Sequence, residues 1–273
     1  MRPYYNYPVD IRSLKIIFTC GGRLAPPLAS RAPGGVKALL PVGGRSLLEH
    51  AIRAASVFSG LQVSGAAVVG PPKTASAMDA IRISVSPPFE IRFAAEGETV
   101  LDNMHAGAAA LADMTGDRLL IISPDLPFVS GDALLRFAAA VPEGADLAMP
   151  LVRREDFLDE FPGAPNKFVR LVEGEVTLGS VLYIKGDVLR KNTALFQDAH
   201  NARKNPAKIA GMLGAMFVMK LLAGRLSLSE IERRIGQLTD AKVSAVFPSA
   251  AALAYDVDDE ANLRYAEERI AKR

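Results

Sequence analysis

Four groups of residues in this chain of 273 residues have types and spacings that could do chemistry. The first is Cys20-Gly21-Gly22, with Lys37 behind it. Paired glycines after a strand let the main chain approach a phosphate closely, N–H groups foremost, and a later lysine adds charge. Gly-Gly alone is equally a plain tight turn. The second is Asp125 in Ser123-Pro124-Asp125-Leu126-Pro127, a carboxylate at the end of an apolar run. Open α/β sheets bind ligands at such strand ends, although an aspartate before a proline turn can also be a mere cap. The third is Tyr255-Asp256-Val257-Asp258. On a strand the two aspartates would share one face, as carboxylates holding one cation must. Asp258 or Asp259 could also cap the terminal helix. The fourth is Thr99 with Asn103, either ligand contacts at a helix start or parts of a capped helix with no ligand.

These groups need a frame. Residues 14–19 (LKIIFT), 66–69, 91–94, 119–123, 145–152 and 243–247 are short apolar runs that read as buried strands, and 254–257 reads as another. Between them, 46–58, 75–83, 99–112, 130–140, 206–236 and 260–271 have helical spacing, and Ser227 with Glu230 forms a capping box. Residues 20–36 hold four glycines and three prolines and form an ordered loop. The alternation predicts an α/β fold, a three-layer, mainly parallel, doubly wound sheet with the strand-end loops along one edge. Residues 153–190 break the rhythm. There 168–171, a turn at 173–175 and 181–184 read as an inserted antiparallel piece. The expected organisation is one domain over 14–273 with an acceptor-side insertion at about 153–236, preceded by a polar, tyrosine-rich extension, 1–13.

Composition removes whole classes of function. The apolar share of 49% and charged share of 23% are those of a soluble globular domain. A net charge of +2 argues against a nucleic-acid partner, which needs a concentrated basic face. One cysteine and three histidines provide neither a disulfide framework nor a Cys/His metal cluster. The longest apolar stretch, 209–223, is broken by Gly211, Gly214 and Lys220 and is too short to span a bilayer. A cytoplasmic protein without a membrane partner is expected, and homo-oligomerisation is compatible with the sequence. Met212, Met216 and Met219 recur near helical spacing and read as core.

The longer segment CGGRLAPPLASRAPGGVKALLPVGGRSLLEH resembles the signature of nucleotidyltransferases that include the molybdenum-cofactor guanylyl- and cytidylyltransferases and the sugar-phosphate nucleotidyltransferases. Residues 37–49, KALLPVGGRSLLE, follow its Lys-x-Leu-x-Pro-hydrophobic-Gly-Gly-x-x-Leu-hydrophobic half. The resemblance implies a nucleotide-diphospho-sugar transferase-like fold in which Gly21, Gly22 and Lys37 bind an NTP. It also implies Mg²⁺ as cofactor, held by Asp125, with Asp256 or Asp258 completing the site. Thr99 and Asn103 would touch base and ribose. The glycine half departs from the pattern: Arg23 follows Gly22 directly, and Pro26, Pro27 and Pro33 fill the loop. Arg23 or Arg31 then stands for the family's arginine. Cys20 takes the place of the usual alanine in the nucleotide loop, as a small buried residue rather than a nucleophile.

The implied reaction moves an NMP from an NTP to a phosphorylated small-molecule acceptor and releases pyrophosphate, with Lys37, Arg23 and Asp125 carrying it. Lys167 and Arg170 offer charge for the acceptor phosphate, or are only a solvated basic strand. Two other readings are a nucleotide-binding regulator without catalysis, which the altered loop favours, and a glycosyltransferase using a nucleotide-sugar through Asp256-Val257-Asp258. In the latter fold the carboxylate pair lies mid-chain, unlike here.

Overall fold

In the computed structural model the described residues are 14–60, 63–113, 117–202 and 205–272. The expected extension, 1–13, lies outside them. Among the described residues eleven strands form: β1 (Leu14–Thr19), β2 (Pro41–Val42), β3 (Arg45–Ser46), β4 (Gly65–Gly70), β5 (Ile91–Ala95), β6 (Arg118–Ile122), β7 (Leu147–Arg153), β8 (Val169–Leu171), β9 (Gly174–Leu178), β10 (Val181–Lys185) and β11 (Val243–Val246). The main sheet has nine strands in the order β5-β4-β1-β6-β10-β7-β9-β8, with β11 paired to β7, while β2 and β3 make a separate hairpin. Strands β9 and β10 run against the other strands of the sheet, so it is mostly parallel.

Alternation along β1 shows how the layers arise. Leu14, Ile16 and Phe18 enter one core with Leu48, Ile52, Met78, Leu134 and Phe137. These come from α1 (Leu47–Ala55), α2 (Pro72–Val85) and α4 (Gly131–Ala140). Ile17 faces the other way, against Leu111, Val188 and Leu189, beneath α3 (Val100–Ala110) and α6 (Gly186–Lys191). A strand buried on both faces needs an apolar run, and LKIIFT supplies one apart from Lys15, which is itself buried.

The remaining helices are α5 (Arg154–Glu160), α7 (Thr193–Ala202), α8 (Pro206–Leu213), α9 (Ala215–Leu222), α10 (Leu228–Thr239) and α11 (Glu260–Ala271). The expected capping box closes α10, with Ser227 and Glu230 bonding reciprocally. Gly214, at φ 99, separates α8 from α9 and divides the longest apolar stretch. No helix among the described residues is long and apolar enough to cross a membrane.

Three expectations need correction. Residues 181–184 do not belong to the inserted hairpin, because β10 lies between β6 and β7 in the main sheet. The chain turns back into the sheet at Gly179, where a Cβ would lie 2.7 Å from both the Leu253 carbonyl oxygen and Pro150 Cγ. The turn of that hairpin is Val172-Glu173, and Gly174 already pairs with Leu171. Residues 254–257 form no strand. Ala254 closes a 3₁₀ turn over Ala251–Leu253, and the backbone stays irregular until α11.

Candidate active site

The strand-end loops meet where the sequence placed the chemistry. After β1, Cys20 donates its backbone N–H to Val69 at 2.7 Å, which holds the loop to β4. The Lys37 N–H then donates to the Gly22 carbonyl at 3.0 Å and brings the lysine back beneath the glycines. A Cβ on Gly21 would collide with Asn103 Nδ2 and lie 3.0 Å from Glu96 Oε2. Asn103 has little freedom to yield, since it is buried and its Oδ1 accepts the Gly97 N–H at 2.9 Å. A glycine is required at 21 by close approach, not by an unusual φ.

Lys37 is the centre of charge. Its Nζ donates to Asp125 Oδ2 and to Asp258 Oδ1, each at 2.6 Å. Burial alone would lower its pKa, but the charges and hydrogen bonds of Asp125 and Asp258 outweigh that and hold it above the ordinary value. The two pairs differ in environment. Lys37 and Asp125 side chains are 15% and 14% exposed, whereas Asp258 is 72% exposed. The inner pair therefore dominates, because an exposed pair contributes only about 0–1 kcal/mol.

The distant aspartates reach Asp125 through main chain and aromatic packing. The Val257 N–H donates to the Asp125 carbonyl at 3.0 Å. Phe128, three residues beyond Asp125, packs edge-on against Tyr255 at 4.9 Å between ring centroids, and Phe161 lies 5.1 Å from the same tyrosine. The Tyr255 hydroxyl donates to the Asn262 carbonyl at 2.8 Å, and Asp259 caps α11 by accepting the Asn262 N–H. Asp256 and Asp258 thus leave an anchored, irregular segment rather than one face of a strand. Ser180 Oγ donates to Asp256 Oδ1 at 2.7 Å. Burial, reinforced by the charge of Asp125, pushes the Asp256 carboxyl up to about 7.

Asp125 Oδ1 is buried with no hydrogen-bond partner. An orphaned carboxylate oxygen is costly unless something electropositive meets it. A second carboxylate that burial and Asp125 resist ionising has the same need. Among the described residues, no group of three or more His, Cys, Asp or Glu side chains is placed to hold a metal unaided. Magnesium is commonly held by one or two carboxylates with substrate phosphates completing the shell, and Asp125 with Asp256 fits that donor set.

Beside this centre opens a cavity of about 470 Å³ lined by Thr19, Gly21, Gly22, Thr99, Asn103 and Ser123, among others. Thr99 also accepts the Asp102 N–H as the N-cap of α3, so the capping role is real beside any ligand contact. Gln197, His200 and Asn201 of α7 line the same cavity. Sequence reasoning did not find them. Their i, i+3, i+4 spacing gives one polar helix face, which was the available signal. It also did not find the role of Ser180 in fixing Asp256, nor that of Glu96.

The two candidate arginines part company. Arg23 donates to the Gly21 carbonyl at 2.7 Å and is ion-paired with Glu96 beside the glycines. Arg31 pairs with Glu267 of α11 at 2.5 Å and is not brought to the cavity. Cys20 is buried, and desolvation pushes its thiol well above the ordinary range, which fits packing and not nucleophilic attack. Lys167 and Arg170 are exposed.

A mostly parallel three-layer sheet, with glycines, a lysine and buried aspartates at its strand ends, defines a nucleotide-binding transferase class. The model of the MobA-like NTP transferase domain matches residues 19–245, and the chain belongs to that family of nucleotidyltransferases. No curated protein matches the sequence. Among solved structures, a hypothetical transferase from Thermus thermophilus is 27% identical, with a TM-score of 0.76 over 92% of this chain and 99% of that one. A 4-diphosphocytidyl-2C-methyl-D-erythritol synthase from Anaerococcus prevotii is 14% identical, with a TM-score of 0.58 over 97% and 100%. A 2-C-methyl-D-erythritol 4-phosphate cytidylyltransferase from Thermus thermophilus is 19% identical, with a TM-score of 0.51 over 95% and 99%. The latter two show the shared fold.

Proposed function

We propose that the protein is a cytoplasmic, Mg²⁺-dependent enzyme that transfers an NMP from an NTP to a phosphorylated small-molecule acceptor. The observation that carries this reading is the Lys37–Asp125 pair at 2.6 Å, with Asp125 Oδ1 left unpartnered beside Asp256. The backbone of Gly21 and Gly22 and the Lys37 ammonium orient the triphosphate, and Thr99 and Asn103 meet the nucleoside end. An acceptor phosphate oxygen attacks the α-phosphorus, the bond to the bridging oxygen breaks, and pyrophosphate leaves. Such chemistry is positioning and charge stabilisation, and no side-chain nucleophile is needed. Asp125 and Asp256 would hold Mg²⁺, whose contribution when bound is to neutralise phosphate charge. The segment around 153–236 shapes the acceptor side.

Pyrophosphate release over a panel of sugar, polyol and cofactor phosphates with each NTP tests this. Turnover with one acceptor is expected, and Asp125→Ala should lower it at least about a hundredfold while leaving the fold intact. Full turnover by Asp125→Ala would refute the assignment. One observation favours a second reading, a nucleotide-binding regulator: Arg23 is already neutralised by Glu96. Tight NTP binding with no pyrophosphate from any acceptor would select it.

A further inference from the structure

Helix α9 is apolar at every position except Lys220, yet it has no buried residue. Phe217 and Leu221 pack on the small core around Leu171, Val176 and Leu226. Met216, Met219 and Leu222 face outward and are 62%, 55% and 84% exposed. Their i, i+3, i+6 spacing makes one stripe along the helix. This overturns the reading of Met216 and Met219 as core. Val172 is also exposed, and its N–H bonds the carbonyl of Leu226 just beyond α9 at 3.0 Å. Single exposed apolar residues need no account, but a stripe of three along one helix marks a surface that something covers.

The flanking charges indicate what covers it. Between Asp198 and Glu230 the sequence has no acidic residue and five basic ones. Lys208 of α8 and Arg225 just after α9 are exposed, and the Arg170 side chain lies across Gly224 at the end of α9. None of these three forms an ion pair among the described residues. The nearby carboxylates are engaged: Glu173 accepts the Leu228 N–H at 3.0 Å, and Glu230 binds Lys220 and Ser227. A second copy meeting this patch about a two-fold axis would set the cations against themselves, which disfavours self-association here.

We infer that the α8–α9 hairpin docks this protein on an anionic lipid surface, with Met216, Met219 and Leu222 entering the headgroup boundary and Lys208, Arg225 and Arg170 meeting lipid phosphates. An amphipathic helix with a basic rim binds membranes by that combination. Surface docking needs no spanning segment, and it departs from the expectation of no membrane partner. Because α7, which precedes the hairpin, lines the nucleotide cavity, docking would hold that cavity close to the bilayer.

The test is co-sedimentation of the full chain with phosphatidylcholine vesicles, with and without phosphatidylglycerol, at low and high salt. Binding to the anionic vesicles is expected to exceed binding to the neutral ones at least about tenfold and to fall with salt. A Met216→Ser/Met219→Ser/Leu222→Ser variant should lose binding while keeping its NTP-induced thermal shift, and Arg225→Gln should weaken binding about fivefold. Absence of vesicle binding would overturn the inference, as would equal binding to neutral vesicles. Sedimentation velocity showing a dimer that the triple variant converts to monomer would assign the patch to a second copy instead.

Discussion

The strand-end crevice and the α8–α9 hairpin are built on opposite terms. In the crevice, polar groups are buried and tied to one another: Lys37 to Asp125 and Asp258, Asp256 to Ser180, Asn103 to Gly97. On the hairpin, apolar groups stand in solvent, with the exposed cations Lys208, Arg225 and Arg170 around them. One region bears desolvated charge to present to a ligand, and the other bears exposed hydrocarbon. The comparison suggests that each departure from ordinary burial marks a surface completed by something else, triphosphate in one case and lipid in the other.

The sharpest way to break this contrast is to remove one partner of the inner pair. Lys37→Ala should cost about 3 kcal/mol of stability, because Asp125 is left buried without its cation. Urea unfolding measures it, and a loss below about 1 kcal/mol would mean water already satisfies Asp125. Gly21→Ala should come next. Overpacking against Asn103 is expected to take about 1–3 kcal/mol from nucleotide binding, a roughly 5- to 150-fold loss of NTP affinity in titration calorimetry. Unchanged affinity would show that the loop moves away before nucleotide binds.

Asp256→Asn sharpens the comparison through pH. Below about 4 the carboxyl is protonated in both folded and unfolded chains, whereas toward pH 7 the unfolded chain has released a proton that the folded one keeps. With the folded group titrating near 7, its contribution to stability is lost as pH rises through that value. Ligand-free Asp256→Asn should therefore match the parent near pH 4 and melt at a higher temperature above pH 7, with Mg²⁺-NTP binding reduced. A lower Tm at alkaline pH would contradict the buried, reluctant carboxylate. The smallest effect belongs to the hairpin: Met216→Ser or Leu222→Ser should change stability by no more than about 0.5 kcal/mol, since neither side chain is buried. A larger loss would place the stripe in a core.

How much was legible follows from the same physics. LKIIFT and the terminal helix were read within a residue of their bounds, because a doubly buried strand and a capped amphipathic helix leave local signals. Lys37, Asp125 and the Asp256 segment were legible as motifs, and the chain does bring them together. Their mode of approach was not. Whether 254–257 forms a ladder depends on Phe128 and Phe161, long-range partners that no window contains. Helix α7 was missed because Gln197, His200 and Asn201 gain meaning only once α7 lies over the glycine loop. The methionines were misread because periodicity reports a face without saying what that face meets.

The central claim is that Asp125 joins metal and triphosphate at the strand end. Thermal unfolding with each of the four NTPs, with and without Mg²⁺, tests it most directly when parent and Asp125→Ala are run side by side. Bound nucleotide should raise the parent's Tm in proportion to affinity, for at least one base and only with Mg²⁺, and the increment should vanish in Asp125→Ala. An equal increment in the variant, or one indifferent to Mg²⁺, would contradict it.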